Sequence, residues 1–197
     1  MAPEVAPQVA SPAGPAVQRP SLLSVGTVVW LSSELMFFSG LFAAYFTLRA
    51  QTPTWPPANA NLGTLTATVA TALLVASSGT MQLSLRAIEE DDRQTFVAWL
   101  GATFALGSVF VAIQAWDWSR LHFGVSSSAY GGAFYLMTGF HGLHVIGGLL
   151  AMVTIAGRAS SPRFGSRDAP SVEMLSYYWH FVDVVWIGLY GTIFLIR

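Results

Sequence analysis

Five apolar stretches, each long enough to cross a bilayer, recur along this chain at about residues 25–48, 65–85, 95–116, 132–156 and 172–196. All ten prolines fall outside them. A hydrocarbon core about 30 Å thick takes about 20 residues of helix at 1.5 Å each. Inside it each segment must satisfy its own backbone hydrogen bonds, which a proline-free helix does. The pattern therefore predicts an all-α, polytopic membrane protein, a bundle of five transmembrane helices. With 53% apolar and 10% charged residues and a mean hydropathy of +0.54, an ordinary soluble domain is excluded.

Residues 1–21 hold five of the ten prolines among Ala and little else, and are expected to be a disordered tail. They lack the basic and apolar regions of a signal peptide, so insertion falls to the first span. Residues 22–197 then form one membrane domain without an internal repeat. The segment 51–61 is a Pro- and Trp-containing loop, and four consecutive acids, Glu89 to Asp92, mark a solvated turn. The formal net charge of −1 carries no sign of a nucleic-acid partner, and with no cysteine there is neither a disulfide nor a thiolate metal site.

All nine basic residues are arginine. With the N-terminus inside, six of them (Arg19, Arg86, Arg93, Arg158, Arg163, Arg167) lie on the inner side and three (Arg49, Arg120, Arg197) on the outer. That excess predicts an inside N-terminus and an outside C-terminus.

Against this apolar background a few polar residues stand out. Glu34 lies in Ser33-Glu34-Leu35-Met36-Phe37-Phe38, His141 and His144 in Gly139-Phe140-His141-Gly142-Leu143-His144, and His180 and Asp183 in Trp179-His180-Phe181-Val182-Asp183-Val184-Val185-Trp186. Counted at 1.5 Å per residue, Glu34, His141, His180 and Asp183 all lie roughly 12–16 Å deep. Polar groups at that depth are costly, so they should face other helices, and the two acids should be protonated, paired or hydrogen-bonded. The expectation is an interhelical polar cluster of His141, His144, His180 and Asp183 beside a buried membrane acid, Glu34. Asp117 and Glu173, near helix ends, read as interfacial acids. The glycine pairs Gly139/Gly142 and Gly188/Gly191 read as close-packing points.

A metal centre is the sharpest rival. Carboxylate-bridged di-metal bundles repeat Glu-x-x-His on two helices, whereas the spacings here are His-x-x-His and His-x-x-Asp. No phosphate loop or nucleophile elbow occurs. The chain is expected to bind no metal and to carry no catalytic residue or redox centre of its own.

The Gly-Phe-His-Gly-Leu-His run and the Trp-His-Phe-Val-Asp-Val-Val-Trp run, in this order and with Glu34 upstream, resemble subunit III of the haem–copper terminal oxidases, most closely cytochrome c oxidase subunit III. The resemblance runs from about residue 24 to 197. It implies a non-catalytic subunit in the bacterial plasma membrane, with haem and copper held by partner subunits. Subunit I would be the main contact and subunit II part of the same complex, with structural phospholipid and room for a larger respiratory supercomplex. Such a subunit stabilises subunit I and supports proton uptake and pumping. By the same resemblance Glu34 matches the family's membrane acid, and His141 and His144 its two histidines. His180, Asp183 and Glu173 match its last-helix pattern, and Gln114-Ala115 with Asp117 its Gln-Ala-x-acid stretch. Longer members have seven helices, and this chain would start at their third, so lipid-binding residues of the first two cannot be carried over. A quinol oxidase subunit III is the near alternative, although Glu at position 34 leans towards the cytochrome c type. A standalone five-helix proton-conducting or transport protein is the distant one.

Overall fold

A computed structural model describes residues 22–57, 60 and 62–196. The expected tail, residues 1–21, lies outside them. Five helices run Leu22–Gln51 (α1), Thr64–Glu89 (α2), Arg93–Ser119 (α3), Ala129–Ala159 (α4) and Ala169–Tyr190 (α5), the last continued by a π-helical turn, Gly191–Leu195. Each is long and apolar enough to span a membrane, and no strand occurs among the described residues.

α3 and α4 start before their apolar runs because polar caps set their ends. Asp92 accepts the Thr95 N–H (3.1 Å) at the start of α3, and Ser128 accepts the Gly131 N–H (3.0 Å) at the start of α4. Pro170 sits in the first turn of α5, where its missing N–H costs nothing. The turn between α2 and α3 is solvated, and Asp91 takes a left-handed backbone there (φ 61°), which Asp tolerates better than most residues. Its Oδ1 accepts the Ser166 N–H (2.9 Å), so the α2–α3 turn is tied to the α4–α5 connection. These two connections make an arginine-rich end with Arg86, Arg93, Arg158, Arg163 and Arg167. At the opposite, aromatic end, Trp55 donates to the Tyr45 hydroxyl (3.0 Å) and packs edge-on against Tyr130.

α2 and α3 pair along their length, and α5 packs against α2, α4 and α1. α5 is the inner helix. Ten of its residues are buried, from Val172 to Leu189, whereas α1 buries only Phe38 and Tyr45 in 30 residues. The small hydroxyl residues of α2 do more than allow close approach. They receive the indole N–H groups of α5, Trp179 on Ser77 (2.9 Å) and Trp186 on Thr71 (2.9 Å), while the Tyr190 hydroxyl meets Thr68 (2.6 Å). Buried donors thus find partners without a bulky polar side chain.

The closest helix-to-helix approach at a glycine among the described residues is made around Trp179. A Cβ on Gly107 of α3 would lie 2.7 Å from its ring, and one on Gly148 of α4 would lie 2.8 Å from it. The indole is a wedge between two glycines. The expected close-packing pairs are looser. A Cβ would be 3.4 Å from the nearest atom at Gly139 and Gly142 and 3.2 Å at Gly188, and would meet nothing within 4 Å at Gly191. Those pairs were read from spacing along one helix, whereas the tight points are set by a large ring arriving from another.

Candidate functional site

The polar residues form three separate stations rather than one cluster. The first joins α1, α4 and α5. Glu34 Oε2 lies 3.1 Å from His144 Nε2, and its Oε1 accepts the Trp30 indole N–H (3.1 Å) from one turn earlier on α1. His144 Nδ1 lies 2.7 Å from the Phe140 carbonyl oxygen. A carbonyl only accepts, so Nδ1 carries a hydrogen. The contact between Nε2 and the carboxyl then requires one more proton, on either the imidazole or the acid. Both arrangements are neutral overall, which is how an acid and an imidazole can share membrane depth without a net charge. Tyr178 of α5 donates to the His144 carbonyl (2.8 Å) and stacks on Trp30 (5.1 Å between centroids). Phe38 packs edge-on to His144, and Phe37 packs edge-on to Phe140. The pair is not sealed, since the side chains of His144 and Glu34 keep 17% and 23% of their exposure.

The second station joins α2 and α5. The Ser78 hydroxyl meets both His180 Nδ1 (3.0 Å) and Asp183 Oδ2, and His180 Nε2 faces Gln82 Oε1 at 3.4 Å. Asp183 is buried, whereas Ser78, His180 and Gln82 are half-buried.

The third station is His141, fully buried and shared by α3, α4 and α5. Its ring stacks on Trp186 (4.8 Å, 30°) and takes Phe110 edge-on (5.7 Å), and neither ring nitrogen has a hydrogen-bond partner among the described residues. His141 and His144 thus part company. Three residues rotate a helix by about 300°, leaving the two rings about 60° apart. On α4 that angle separates the face towards α3 and α5 from the face towards α1.

The remaining acids sit near helix ends. Glu173 accepts the Tyr177 hydroxyl (2.7 Å). Asp117 lines a cleft of about 410 Å³ at the aromatic end, with Thr66, Arg120 and His122. Among the described residues no three His, Asp or Glu side chains come together as a metal-binding group. Sequence reasoning passed over Trp30, Ser78 and Gln82. Trp30 stands four residues before Glu34, on the same helix face, and Gln82 is the lone amide side chain of α2. Ser78 had no signal, being one of several hydroxyls there.

Residues 13–196 match the family described as Cytochrome c oxidase subunit III. The chain is 50% identical over 185 residues to a probable cytochrome c oxidase subunit 3 of Nocardia farcinica, covering 92% of this chain and 91% of that one. Identity is 47% over 185 residues to the probable cytochrome c oxidase subunit 3 of Mycobacterium tuberculosis, again with 92% and 91% covered. A cytochrome c oxidase subunit 3 of Thermostichus vulcanus is 35% identical over 180 residues, 91% of this chain and 90% of that one.

Proposed function

The chain belongs to the cytochrome c oxidase subunit III family, and on that premise we propose that it is the non-catalytic third subunit of a bacterial cytochrome c oxidase. In this reading it stabilises subunit I, within a complex that also holds subunit II. Electrons pass to oxygen on haem and copper in those partners, while this chain supports proton uptake. Its arginine-rich end faces the inside of the plasma membrane, as the excess of arginine there favours.

One observation carries the reading. The Glu34–His144 pair sits mid-helix yet keeps about a fifth of its side-chain surface open. Lipid chains offer no hydrogen bonds, so a half-open polar pair at that depth calls for a protein cover. Around it α1 presents Met36 (76% exposed) and Leu35 (56%), apolar side chains fit to meet another helix. The cover is taken to be subunit I. Lipid has its own place in the reading: the apolar groove between α3 and α4, floored by Gly139 and Gly142 and about 380 Å³ in volume, suits an acyl chain.

The test is purification of the tagged chain in mild detergent, with a photo-crosslinker at position 36. Haem absorbance and copper should elute with the chain, and the crosslinker should capture subunit I. Recovery of the chain alone, free of haem and copper, would overturn the assignment.

A further inference from the structure

The station between α2 and α5 admits a proton count. Gln82 presents Oε1, which only accepts, to His180 Nε2 (3.4 Å), so Nε2 carries a hydrogen. Ser78 has one hydrogen and two neighbours, His180 Nδ1 and Asp183 Oδ2. If Nδ1 is bare, the serine donates to it, and the Asp183 carboxyl must be the acid that donates to the serine. If Nδ1 is protonated, it donates to the serine, which donates to a carboxylate. The two arrangements contain the same number of protons and both satisfy the contacts of Ser78 and His180, while Asp183 Oδ1 is buried without a partner among the described residues in either. With one proton more, the serine would face two donors and have no acceptor for its own hydrogen. With one fewer, one of its two neighbours would be an acceptor left without a hydrogen.

We propose that Asp183, Ser78 and His180 form a binding site for a single exchangeable proton, relayed between carboxyl and imidazole by the Ser78 hydroxyl. In the transfer, the Asp183 O–H bond breaks as a new O–H forms on Ser78. The original Ser78 O–H breaks as an N–H forms on His180 Nδ1. The acid becomes a carboxylate and the imidazole an imidazolium, and the net charge stays at zero. That neutrality lets the site persist at membrane depth, where a lone charge would be expelled or neutralised. Exchange with the surroundings occurs at His180, which is half-buried, while Asp183 holds the proton at the buried end.

Ser78 and Gln82 of α2 are uncharged. α1 reaches α5 through Phe38 against Phe181, Phe42 against Gly188 and Trp30 stacked on Tyr178, and the titratable groups on that side are Glu34 and His144 of the first station, with Phe38 packed on both His144 and Phe181. α3 and α4 reach it through Gly107 and Gly148 against Trp179, and through Phe110 and His141 against Trp186. His141 is the titratable side chain on that side, stacked on Trp186, which stands one helical turn after Asp183 on α5. The proposal goes beyond the assembly role and does not depend on which proteins surround the chain.

The experiment is infrared pH titration of the intact membrane complex containing the chain, grown with and without isotope-labelled histidine. Subtracting spectra of Asp183→Asn and His180→Gln isolates the carboxyl and imidazole bands, and repetition with His141→Phe removes that ring from the count. In the wild-type chain the two bands should change together, with one midpoint and one proton. Ser78→Ala should split them into two midpoints roughly one pH unit or more apart, and Ser78→Thr, which keeps the hydroxyl, should restore the single step. Two separate midpoints in the wild-type chain would overturn the proposal, as would a single step preserved in Ser78→Ala. Should Ser78→Ala fail to assemble, the wild-type titration still decides.

Discussion

Replacing Glu34 tests how α1 is held to the bundle. α1 buries two of its 30 residues, so its polar contacts weigh heavily. Glu34→Gln can keep both of them. Its oxygen accepts from Trp30 as Oε1 does now, and its NH₂ donates to His144 Nε2, whose other nitrogen already gives its hydrogen to Phe140. Gln therefore mimics the neutral acid and should be nearly silent. Glu34→Ala strands the Trp30 N–H and the imidazole at about 1–3 kcal/mol each, and lipid cannot compensate. A loss of about 2–6 kcal/mol corresponds to roughly thirty-fold to ten-thousand-fold in an equilibrium constant. Replacing both partners by apolar residues, Glu34→Leu with His144→Phe, leaves only the Trp30 N–H unpaired and should recover much of that loss. The assay is heat treatment of the purified complex in detergent, with quantification of the chain that remains bound. Loss in the order Ala, then the double variant, then Gln and wild type is the expected result. A Gln variant as unstable as Ala would show that a fixed negative charge is needed, and the neutral pair would be wrong. An Ala variant as stable as wild type would show that the pair does not hold α1.

Adding a methyl group at the Trp179 wedge should be costly. Gly148→Ala and Gly107→Ala each place a Cβ inside 3 Å of the indole, and should lower stability by about 1–3 kcal/mol, read as a reduced melting temperature of the complex and relieved when Trp179→Leu is added. His141→Phe fills the same slot between Trp186 and Phe110 without unpaired nitrogens, so stability should be unchanged or higher. A clear fall in stability would show that the imidazole nitrogens make bonds that matter.

The number and order of the helices were legible because bilayer thickness acts on each segment separately, and a run of about twenty apolar residues needs no neighbour to identify it. The mid-helix positions of Glu34 and Asp183 were legible for the same reason, as distance along a helix is counted residue by residue. What could not be read was rotation. Whether Glu34 meets His141 or His144 depends on the angle at which α1 sits on α4, and no single helix carries that information. The same gap hid Ser78, whose role exists only because α5 brings His180 and Asp183 to it, and Gly148, whose tightness belongs to the arriving Trp179. The helix ends differ from the expected spans for another reason: Asp92 and Ser128 are polar caps beyond the apolar runs, invisible to a reading by hydropathy.

The Trp179 wedge also bears on how the chain is made. Synthesis runs from α1 to α5, so the most deeply buried helix is the last to leave the ribosome. Until it arrives, Ser77 of α2 lacks its indole donor, and Gly107 and Gly148 lack the ring that packs on them. Four helices alone therefore lack the element that fills the space between Gly107 and Gly148. A chain interrupted anywhere before Trp179 lacks the ring that closes α2, α3 and α4 together.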